Sequence, residues 1–526
     1  MINCDICIYG GTAAGVIAAV AVANAGRSVA LVESGRHLGG MTTGGLGFTD
    51  IGNKLAIGGM SREFYRRIGK VYGKEESWTF EPHVAEKALN DLIAEANGKG
   101  KRIEVLLNHR IAEADVRDHR IKRIMLEEAP GDSANAPGHP DTIVEHVPLT
   151  AAMYIDCTYE GDLMAAARVG FTIGRESSEK YGEPLNGIRD KTPKHQFMVP
   201  VDPWLKPGDV SSGLIPLIQN GDGGIPGASD LRVQSYNFRL CLTQNKENQI
   251  PIVPPKGYDA ARFEVLGRYL VALHEGKKPI SLGMLLKIDK MPSGKTDINN
   301  NGAVSTDYIG NSYDYPGGAP DVRNRIWHEH LIYTQGLLHF LATDNRVPAN
   351  VRKDMTSWGL CRDEFKDTGG WPHQIYVREG RRMIGAYVVT QHDCEHRTTI
   401  DDSIGLAAYN MDSHNCQRIV QNGVVRNEGD VQVAPAAPYS ISYRALTPKA
   451  EECENLLVPV CLSASHIAYG SIRMEPVFML LGQSAAIAAN LAVEKKTSVQ
   501  GVDMPTLQSR LLEAGQILKW TRPAKK

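Results

Sequence analysis

The sequence has no surplus of positive charge. Its 526 residues carry 58 Lys and Arg against 60 Asp and Glu, which gives a formal net charge of -2 at pH 7. A protein that holds nucleic acid or an anionic membrane surface through charge needs a basic excess. We therefore expect neither of these partners.

Long apolar runs are also missing. No stretch approaches the roughly eighteen apolar residues of a membrane-spanning helix. The N-terminus lacks the basic segment and the long apolar segment of a signal peptide. We therefore expect no membrane span and a cytoplasmic location, with the reservation that a chain whose leader peptide had been removed would look the same.

Cysteines are scattered and odd in number, with nine between Cys4 and Cys461. This distribution does not indicate a disulfide framework. The hydrophobic content of 42% and the charged content of 22% are typical of a globular protein, and the length favours two domains.

The first thirty-three residues have the pattern of a β-α-β unit. An apolar strand at Asp5 to Tyr9 leads into a glycine-rich turn at Gly10 to Gly15. A helix rich in Ala and Val follows, and a second strand at Arg27 to Val32 ends at Glu33. This arrangement is typical of a dinucleotide-binding fold.

Each part of that unit has an expected role. Gly10 allows the tight turn, Gly15 lets helix and strand approach, and the helix N-terminus offers N–H groups to a diphosphate. Glu33 is expected to accept the hydroxyls of a ribose. Thr12 replaces the usual middle glycine, and we expect its hydroxyl to donate to the diphosphate. The predicted contacts in this unit are Gly10, Gly11, Thr12, Ala13, Ala14, Gly15, Glu33 and Ser34.

A second glycine-rich loop, residues 34 to 45, follows directly and favours FAD over NAD. Its backbone can pass close to an extended cofactor, and we expect contacts from Gly39, Gly40, Met41, Thr42 and Thr43. No second β-α-β motif is visible, since Asn220 to Gly224 lacks a preceding strand and is interpreted as a turn. Electrons are therefore expected to pass between a small-molecule substrate and a diffusible acceptor.

Two motifs give the chain a family resemblance. Y-G-G-T-A-A-G-V-I-A-A at residues 9 to 19 and L-G-G-M-T-T-G-G-L-G at residues 38 to 47 resemble the bacterial FAD-dependent oxidoreductase family. That family belongs to the glutathione-reductase-like flavoprotein superfamily. The segments Trp78 to Glu86, Tyr154 to Ala167, Gln234 to Thr243 and Ser281 to Gly310 are similar to it as well.

The resemblance implies further cofactor contacts. The Thr-x-x-Gly-Asp turn formed by Thr158, Gly161 and Asp162 is expected to pass the cofactor. The last strand, Asn455 to Val460, and the helix Val477 to Ala492 are expected to close the FAD domain, with Met474 at the flavin. Arg110 and Ile111 are added from the alternating segment Ile103 to Glu127, which predicts an antiparallel meander.

The expected fold is α/β: a discontinuous FAD-binding Rossmann-like domain with an inserted β-rich substrate domain. We assign residues 1–180 and 440–526 to the FAD domain and residues 181–439 to the insert. In the insert, Pro, Gly and Asn increase and helical periodicity weakens.

His466 is the leading catalytic candidate, because it falls in the loop between the last FAD strand and helix. A neutral histidine there can take a hydroxyl proton as hydride leaves for the flavin. Arg473 can balance negative charge on reduced flavin or on an acidic substrate. His414, Tyr443 and Arg444 complete the predicted catalytic set. Tyr376, Arg378, Glu379, Arg381 and Arg382 are weaker candidates for a polar pocket.

No metal is expected. Asp297 to Gly302 matches the start of a calcium loop, but Tyr308 stands where the final Glu belongs, so a plain turn is preferred. The pairs His328 with His330 and His392 with His396 lack an obvious third ligand.

The predicted function is an FAD-dependent oxidoreductase that moves hydride between flavin N5 and a hydroxyl-bearing carbon. A polyol or sugar-like substrate is implied only by the family's occurrence in carbohydrate-degrading bacteria. Two alternatives stay open: a fumarate-reductase-like enzyme acting on an activated double bond, which needs an arginine cluster, and a non-catalytic flavin-binding assembly module.

Overall fold

The computed structural model describes residues 1–100 and 103–522. Within these residues the strands, in chain order, are β1 (Ile2–Tyr9), β2 (Val29–Val32), β3 (Ile103–Leu106), β4 (His109–Arg117), β5 (Arg120–Glu128), β6 (Glu145–Asp156), β7 (Phe171–Thr172), β8 (Leu240–Thr243), β9 (Gln249–Ile250), β10 (Leu286–Lys290), β11 (Lys295–Asn300), β12 (Gly359–Cys361), β13 (Arg382–Met383), β14 (Ser403–Ala407), β15 (Met411–Ser413), β16 (Gln417–Gln421), β17 (Val424–Glu428), β18 (Val431–Val433), β19 (Tyr439–Ser442) and β20 (Leu456–Leu457). The α-helices are α1 (Ala13–Asn24), α2 (Gly59–Val71), α3 (Pro82–Gly98), α4 (Asp162–Ala166), α5 (Glu264–Glu275), α6 (Pro320–Thr343), α7 (Ala349–Met355), α8 (Gln391–Cys394), α9 (His466–Ile472), α10 (Glu475–Lys495) and α11 (Met504–Glu513).

Seven strands form the main sheet, in the order β3-β2-β1-β6-β5-β4, with β20 also beside β6. The pairs β1–β2, β1–β6, β2–β3 and β20–β6 are parallel. The strand–helix–strand unit predicted at the N-terminus is confirmed, and so is the mixed α/β fold with a parallel Rossmann-like sheet.

The predicted meander at residues 103 to 127 is only partly right. β4 and β5 are antiparallel, and β5 continues onto the first half of β6. β3, however, lies at the far edge of the sheet and runs parallel to β2, with Ile103 opposite Val29. Alternation along the chain cannot reveal this, since a parallel edge strand and an antiparallel strand share the same period of two.

Small residues let α1 lie between the sheet and α10. Every residue of α1 from Ala13 to Ala23 is buried. At the crossing with α10, a Cβ on Gly482 would lie 2.4 Å from the Ala14 carbonyl oxygen, so the two helices touch backbone to backbone.

α10 is long and apolar enough to cross a membrane by length and composition, which the sequence analysis did not anticipate. In the fold, 89% of its apolar window is buried inside the protein. It packs as the core helix of this layer rather than presenting an apolar surface.

The middle of the chain contains a second sheet and the helices α5, α6, α7 and α8. The strands follow the order β10-β11-β8-β12-β9, and each pair is antiparallel. Asp297 to Asn300 belong to β11, so the turn predicted there is wrong for these residues. The weak helical pattern concealed α6, whose 24 residues include the buried polar side chains of His330 and Thr334. The boundaries at residues 180 and 440 stay a prediction.

Candidate functional site

A cavity of about 320 Å³ lies at the carboxyl ends of β1, β2 and β6. It brings together nine of the predicted cofactor contacts: Gly10, Thr12, Glu33, Ser34, Gly40, Arg110, Ile111, Thr158 and Asp162. The remaining predicted contacts are not in its lining: Gly11, Ala13, Ala14, Gly15, Gly39, Met41, Thr42, Thr43, Gly161 and Met474. All of these except Met474 are close in sequence to residues that are.

The first glycine turn is a cradle that side chains would fill. Gly10 has φ of 105°, and a Cβ on it would lie 2.6 Å from the Thr158 backbone nitrogen. A Cβ on Gly15 would lie 1.9 Å from the Gly10 carbonyl oxygen. The first N–H groups of α1, which have no partner one turn back, open beside this turn. A diphosphate fits such a cradle of N–H donors.

Thr12 does not have the role predicted for its hydroxyl. Its Oγ1 donates to the Cys157 carbonyl oxygen at 2.8 Å and accepts from the Gly15 N–H at 3.3 Å. The single hydroxyl hydrogen is therefore used inside the fold. Thr12 caps α1 and ties it to the end of β6 instead of donating to a diphosphate.

Glu33 joins the two glycine loops. Its Oε2 accepts the Gly11 N–H and its Oε1 accepts the Gly35 N–H, both at 2.7 Å. Burial raises the pKa of Glu33, and these N–H donors oppose that rise. The Ser34 hydroxyl also donates to Oε1, at 3.3 Å. A carboxylate has about four acceptor positions, so three protein donors leave room for one ribose hydroxyl.

A buried carboxyl group joins this cavity to the start of α10. Tyr159 lines the cavity, and its hydroxyl donates to Glu475 Oε1 at 2.7 Å. Thr42 donates to Glu475 Oε2 at 2.8 Å, and burial raises the pKa of Glu475 to about 7. Met474, the N-cap residue of α10, is therefore held next to the second glycine loop.

Residues of the middle segment close the opposite wall. Arg323, on α6, makes two contacts with the Asp162 carboxylate at 2.6 and 2.8 Å. Arg381 adds a third at 2.7 Å. Sequence reasoning missed most of the residues on this wall, because no local pattern marks them: Tyr315, Arg323, Trp327, His373 and Gln374. It also missed Asn135, which lines the cavity from the loop between β5 and β6.

Arg110 and Ile111 line the cavity, but their polar groups are used within the fold. Arg110 pairs with Glu127 and donates to the Gly138 carbonyl oxygen. The Ile111 N–H donates to the Tyr9 hydroxyl at 2.9 Å. Two of the Arg110 guanidinium nitrogens and the Ile111 N–H are therefore already engaged.

A chain of buried polar groups begins at Arg473, directly before α10. Arg473 donates to the Tyr376 hydroxyl at 2.9 Å and to the Asp412 carboxylate at 2.9 Å. Asp412 lies 3.5 Å from His414 Nε2, and Asp307 lies 2.8 Å from His414 Nδ1. Burial and the charge of Arg378 act to lower the pKa of His414, but the two carboxylates outweigh them and raise it.

Three guanidinium groups surround the Tyr376 ring. Their carbon atoms lie 4.7 Å (Arg378), 5.7 Å (Arg473) and 6.0 Å (Arg239) from its centre. Among the described residues, Nε of Arg378 and Nε of Arg473 are buried without a hydrogen-bond partner, whereas Nη1 of Arg239 lies 3.5 Å from the Asp50 carboxylate. Unused buried donors of this kind are costly in a folded protein unless a ligand or water accepts from them.

The structure separates His466 from the cofactor cavity. His466 is not in a loop but is the first residue of α9, and it is 1% exposed. Its Nδ1 lies 2.8 Å from Glu379 and its Nε2 lies 3.1 Å from Ser413. Burial, with the nearby charge of Arg382, lowers the pKa of His466 to about 3. Both ring nitrogens are therefore used inside the fold.

Tyr443 and Arg444 have partners outside the polar chain that begins at Arg473. The Tyr443 hydroxyl donates to the Val499 carbonyl oxygen at 2.7 Å. Arg444 is about half exposed and pairs with Asp402 at 2.9 Å. Of the five predicted catalytic residues, His414 and Arg473 meet through Asp412. His466 is linked to them less directly, because its partner Glu379 accepts from Gln234, and Gln234 accepts from the His414 N–H.

A second cavity, of about 580 Å³, adjoins this polar chain. His195 lines it, and burial and the charge of His414 lower the pKa of His195. The lining also includes Lys194, Phe197, Tyr269 and Asn301. A ligand in this cavity meets one cationic side chain, two aromatic rings and neutral hydrogen-bonding groups.

The predicted histidine pairs are used for structure. His328 pairs with Asp132, and His330 contacts the Ile326 carbonyl oxygen. His392 and His396 each contact a backbone carbonyl oxygen. Glu81, His83 and Glu364 lie within ligand distance of one another, but the Lys295 ammonium group already contacts both glutamates, at 2.8 and 2.6 Å.

Comparisons with known proteins add a family match. A family described as FAD dependent oxidoreductase matches residues 5–511. A search of curated proteins finds no match.

Among solved structures, the chain is similar to Thermovibrio ammonificans THI4, at 18% identity over 33% of this chain and 66% of that one, with a TM-score of 0.23. It is also similar to Mycobacterium smegmatis Sdh1, at 14% identity over 34% and 41%, with a TM-score of 0.21. A third similar structure is AlpK, at 13% identity over 45% and 47%, with a TM-score of 0.25. The chain covers less than two thirds of each of these proteins. At TM-scores this low, no conclusion about function is drawn from the similarity.

Proposed function

Because this chain belongs to the FAD-dependent oxidoreductase family and FAD is its cofactor, we propose that it transfers hydride between flavin N5 and a small organic substrate beside Tyr376. The family match spans nearly the whole chain, so the alternative of a non-catalytic flavin-binding module is set aside. The glycine cradle, the α1 N-terminus and Glu33 are the residues that would hold the diphosphate and a ribose.

The observation that carries the proposal is the position of His414 between two carboxylates. Two carboxylates, Asp307 and Asp412, face its two ring nitrogens, so the imidazolium form is stabilised. An imidazolium is a proton donor. This favours the direction in which the substrate gains hydride from the flavin and a proton from the protein, as in reduction of an activated double bond.

The arginines around Tyr376 support a substrate that carries a carboxylate. Among the described residues, the buried Nε–H groups of Arg378 and Arg473 have no hydrogen-bond partner. A carboxylate accepts from guanidinium groups with good geometry, and such charge-assisted hydrogen bonds are about twice as strong as neutral ones. The substrate class is then a small α,β-unsaturated acid, and a diffusible donor returns electrons to the flavin.

The pH dependence of the rate tests this role. His414 carries its proton below its raised pKa, so reoxidation of pre-reduced flavin by fumarate or cinnamate should be fast at low pH. The rate should fall as pH rises through that pKa. Asp307→Asn removes a carboxylate that raises the pKa, so the fall should move down by about one pH unit. Anaerobic stopped-flow absorbance in the visible band of the oxidised flavin measures the rate.

Asp289→Asn is a matched control, because this carboxylate lies on β10 and pairs with Lys287 away from His414. Its pH profile should follow that of the unmodified protein. A profile that is flat, or one that rises with pH in every variant, would remove His414 as the proton donor.

Oxidation of a hydroxyl-bearing carbon is the second candidate, favoured by His195. Its ring lines the second cavity, burial lowers its pKa, and in the part of the chain that the structure describes its Nδ1 has no hydrogen-bond partner. A neutral imidazole can take the hydroxyl proton as hydride leaves. Anaerobic bleaching of the flavin by sorbitol, with a rate that rises with pH, would support this direction; no bleaching together with reoxidation by enoates would support reduction.

A further inference from the structure

His373 lies in the wall between the cofactor cavity and a smaller cavity of about 250 Å³. Its side chain is nearly buried, with the residue 3% exposed. The ring stacks on His37 with 3.9 Å between ring centres and 3° between planes. The sequence analysis gave His373 no role.

The hydrogen bond to Thr43 determines which nitrogen of His373 carries the hydrogen. Thr43 Oγ1 donates to the Leu38 carbonyl oxygen at 2.8 Å, so its only hydrogen is used. The contact of 3.3 Å between Thr43 Oγ1 and His373 Nε2 therefore needs His373 as the donor. A neutral ring protonated on Nε2 has a lone pair on Nδ1.

His37 keeps the neighbouring ring neutral. Its two nitrogens lie 2.8 Å from Glu86 and 2.9 Å from Asp367. Burial acts to lower the pKa of His37, but these carboxylates outweigh it and raise it. A second positive charge stacked on the first is unfavourable, and burial together with His37 lowers the pKa of His373 well below its ordinary value.

The acceptor atom Nδ1 of His373 is left without a donor among the described residues. Burying a ring nitrogen in this state costs free energy unless a ligand or a water donates to it. His373 lines the cofactor cavity together with its stacking partner His37 and with Gln374, the next residue in the chain.

We infer that His373 Nδ1 accepts a hydrogen bond from a hydroxyl group of the bound FAD. This rests on the FAD binding stated above and adds a contact by which the chain recognises the cofactor. A diphosphate oxygen cannot be the partner, because it is an acceptor as well. FAD has hydroxyl groups in two places, the adenosine ribose and the ribityl chain.

Two amide variants separate the two nitrogens. In His373→Gln the amide reaches the place of Nε2, so the bond to Thr43 is kept and the acceptor at Nδ1 is lost. In His373→Asn the amide oxygen takes the place of Nδ1. We expect FAD to bind about five- to tenfold more weakly to His373→Gln, the value of one neutral hydrogen bond. For His373→Asn the affinity should stay within about twofold of the unmodified protein.

The experiment titrates the full-length chain, freed of flavin, with FAD, ADP and FMN. Loss of affinity in His373→Gln for FAD and ADP supports the ribose as donor, and loss for FAD and FMN supports the ribityl chain. The melting temperature of each ligand-free variant shows whether the fold is intact. His83→Gln, which alters only the smaller cavity, serves as the control.

Equal FAD affinities in the two amide variants would overturn the inference. A water bound to Nδ1, or a ring with a structural role alone, would give that result. Weaker binding in His373→Asn than in His373→Gln would also overturn it. If the unmodified chain binds no FAD, the proposed function fails instead, and the two failures are distinct.

Discussion

At the scale of single residues, His466 has a full set of partners. Its ring lies between Glu379 and Ser413, and its backbone N–H donates to Glu176 at 2.9 Å. Arg382 pairs with both glutamates. This closed network fixes the start of α9 against the segment that carries Tyr376.

Replacing His466 with Ala should therefore destabilise the fold. It leaves the Glu379 carboxylate and the Ser413 hydroxyl short of partners in a buried place, which costs about 2 to 4 kcal/mol. Urea denaturation of the holoprotein measures this, and His274→Ala on the exposed side of α5 is the control. A variant with unchanged stability and slowed flavin reduction would instead restore the catalytic role first predicted for His466.

The residues of the glycine cradle were predictable, whereas most partners of the polar groups were not. Gly10, Gly15 and Glu33 fall in one local pattern whose spacing carries their role. Asp307 and His414 are 107 residues apart, and Asp162 and Arg323 are 161 apart. Their pairing depends on how the two sheets meet, and a single sequence holds no periodic signal for that.

At the scale of elements, the close crossing of α1 over β1 depends on the absence of a Cβ atom at Gly15. Gly15→Ala would place a Cβ 1.9 Å from the Gly10 carbonyl oxygen, so α1 would have to move away from the strand. We expect the variant to lose FAD and to lose about 3 kcal/mol or more of stability. The ratio of flavin to protein after gel filtration and the melting temperature measure the two effects.

Gly98→Ala, at the end of α3, is the matched control. A Cβ there meets nothing within 4 Å, and alanine favours a helix. Its flavin content should equal that of the unmodified protein. Full flavin retention in Gly15→Ala would contradict the tight helix–strand crossing.

At the scale of the whole molecule, one apolar core runs through both predicted domains. The same contact cluster includes Ile8 and Ile155 of the first sheet and Leu242 and Leu360 of the second. Arg323 and Arg381, from the middle of the chain, wall the cofactor cavity. The two parts depend on each other for a shared interior.

Heating should therefore unfold the chain in one transition. Flavin fluorescence reports the cofactor cavity, far-UV circular dichroism reports both sheets, and the two curves should have the same midpoint within about 2 °C. Two separated circular dichroism steps would show that the parts unfold independently and would favour the boundaries at residues 180 and 440.

The contacts between α6 and the segment before it in the chain have a consequence for how the protein is made. Asn324 donates to the Pro137 carbonyl oxygen at 2.9 Å, His328 contacts Asp132 at 2.6 Å, and Arg323 grips Asp162. These three ties span chain segments made far apart during synthesis. The wall of the cofactor cavity is therefore incomplete until α6 has been made. A nascent chain that stops before Pro320 lacks the residues of α6 that line the cavity.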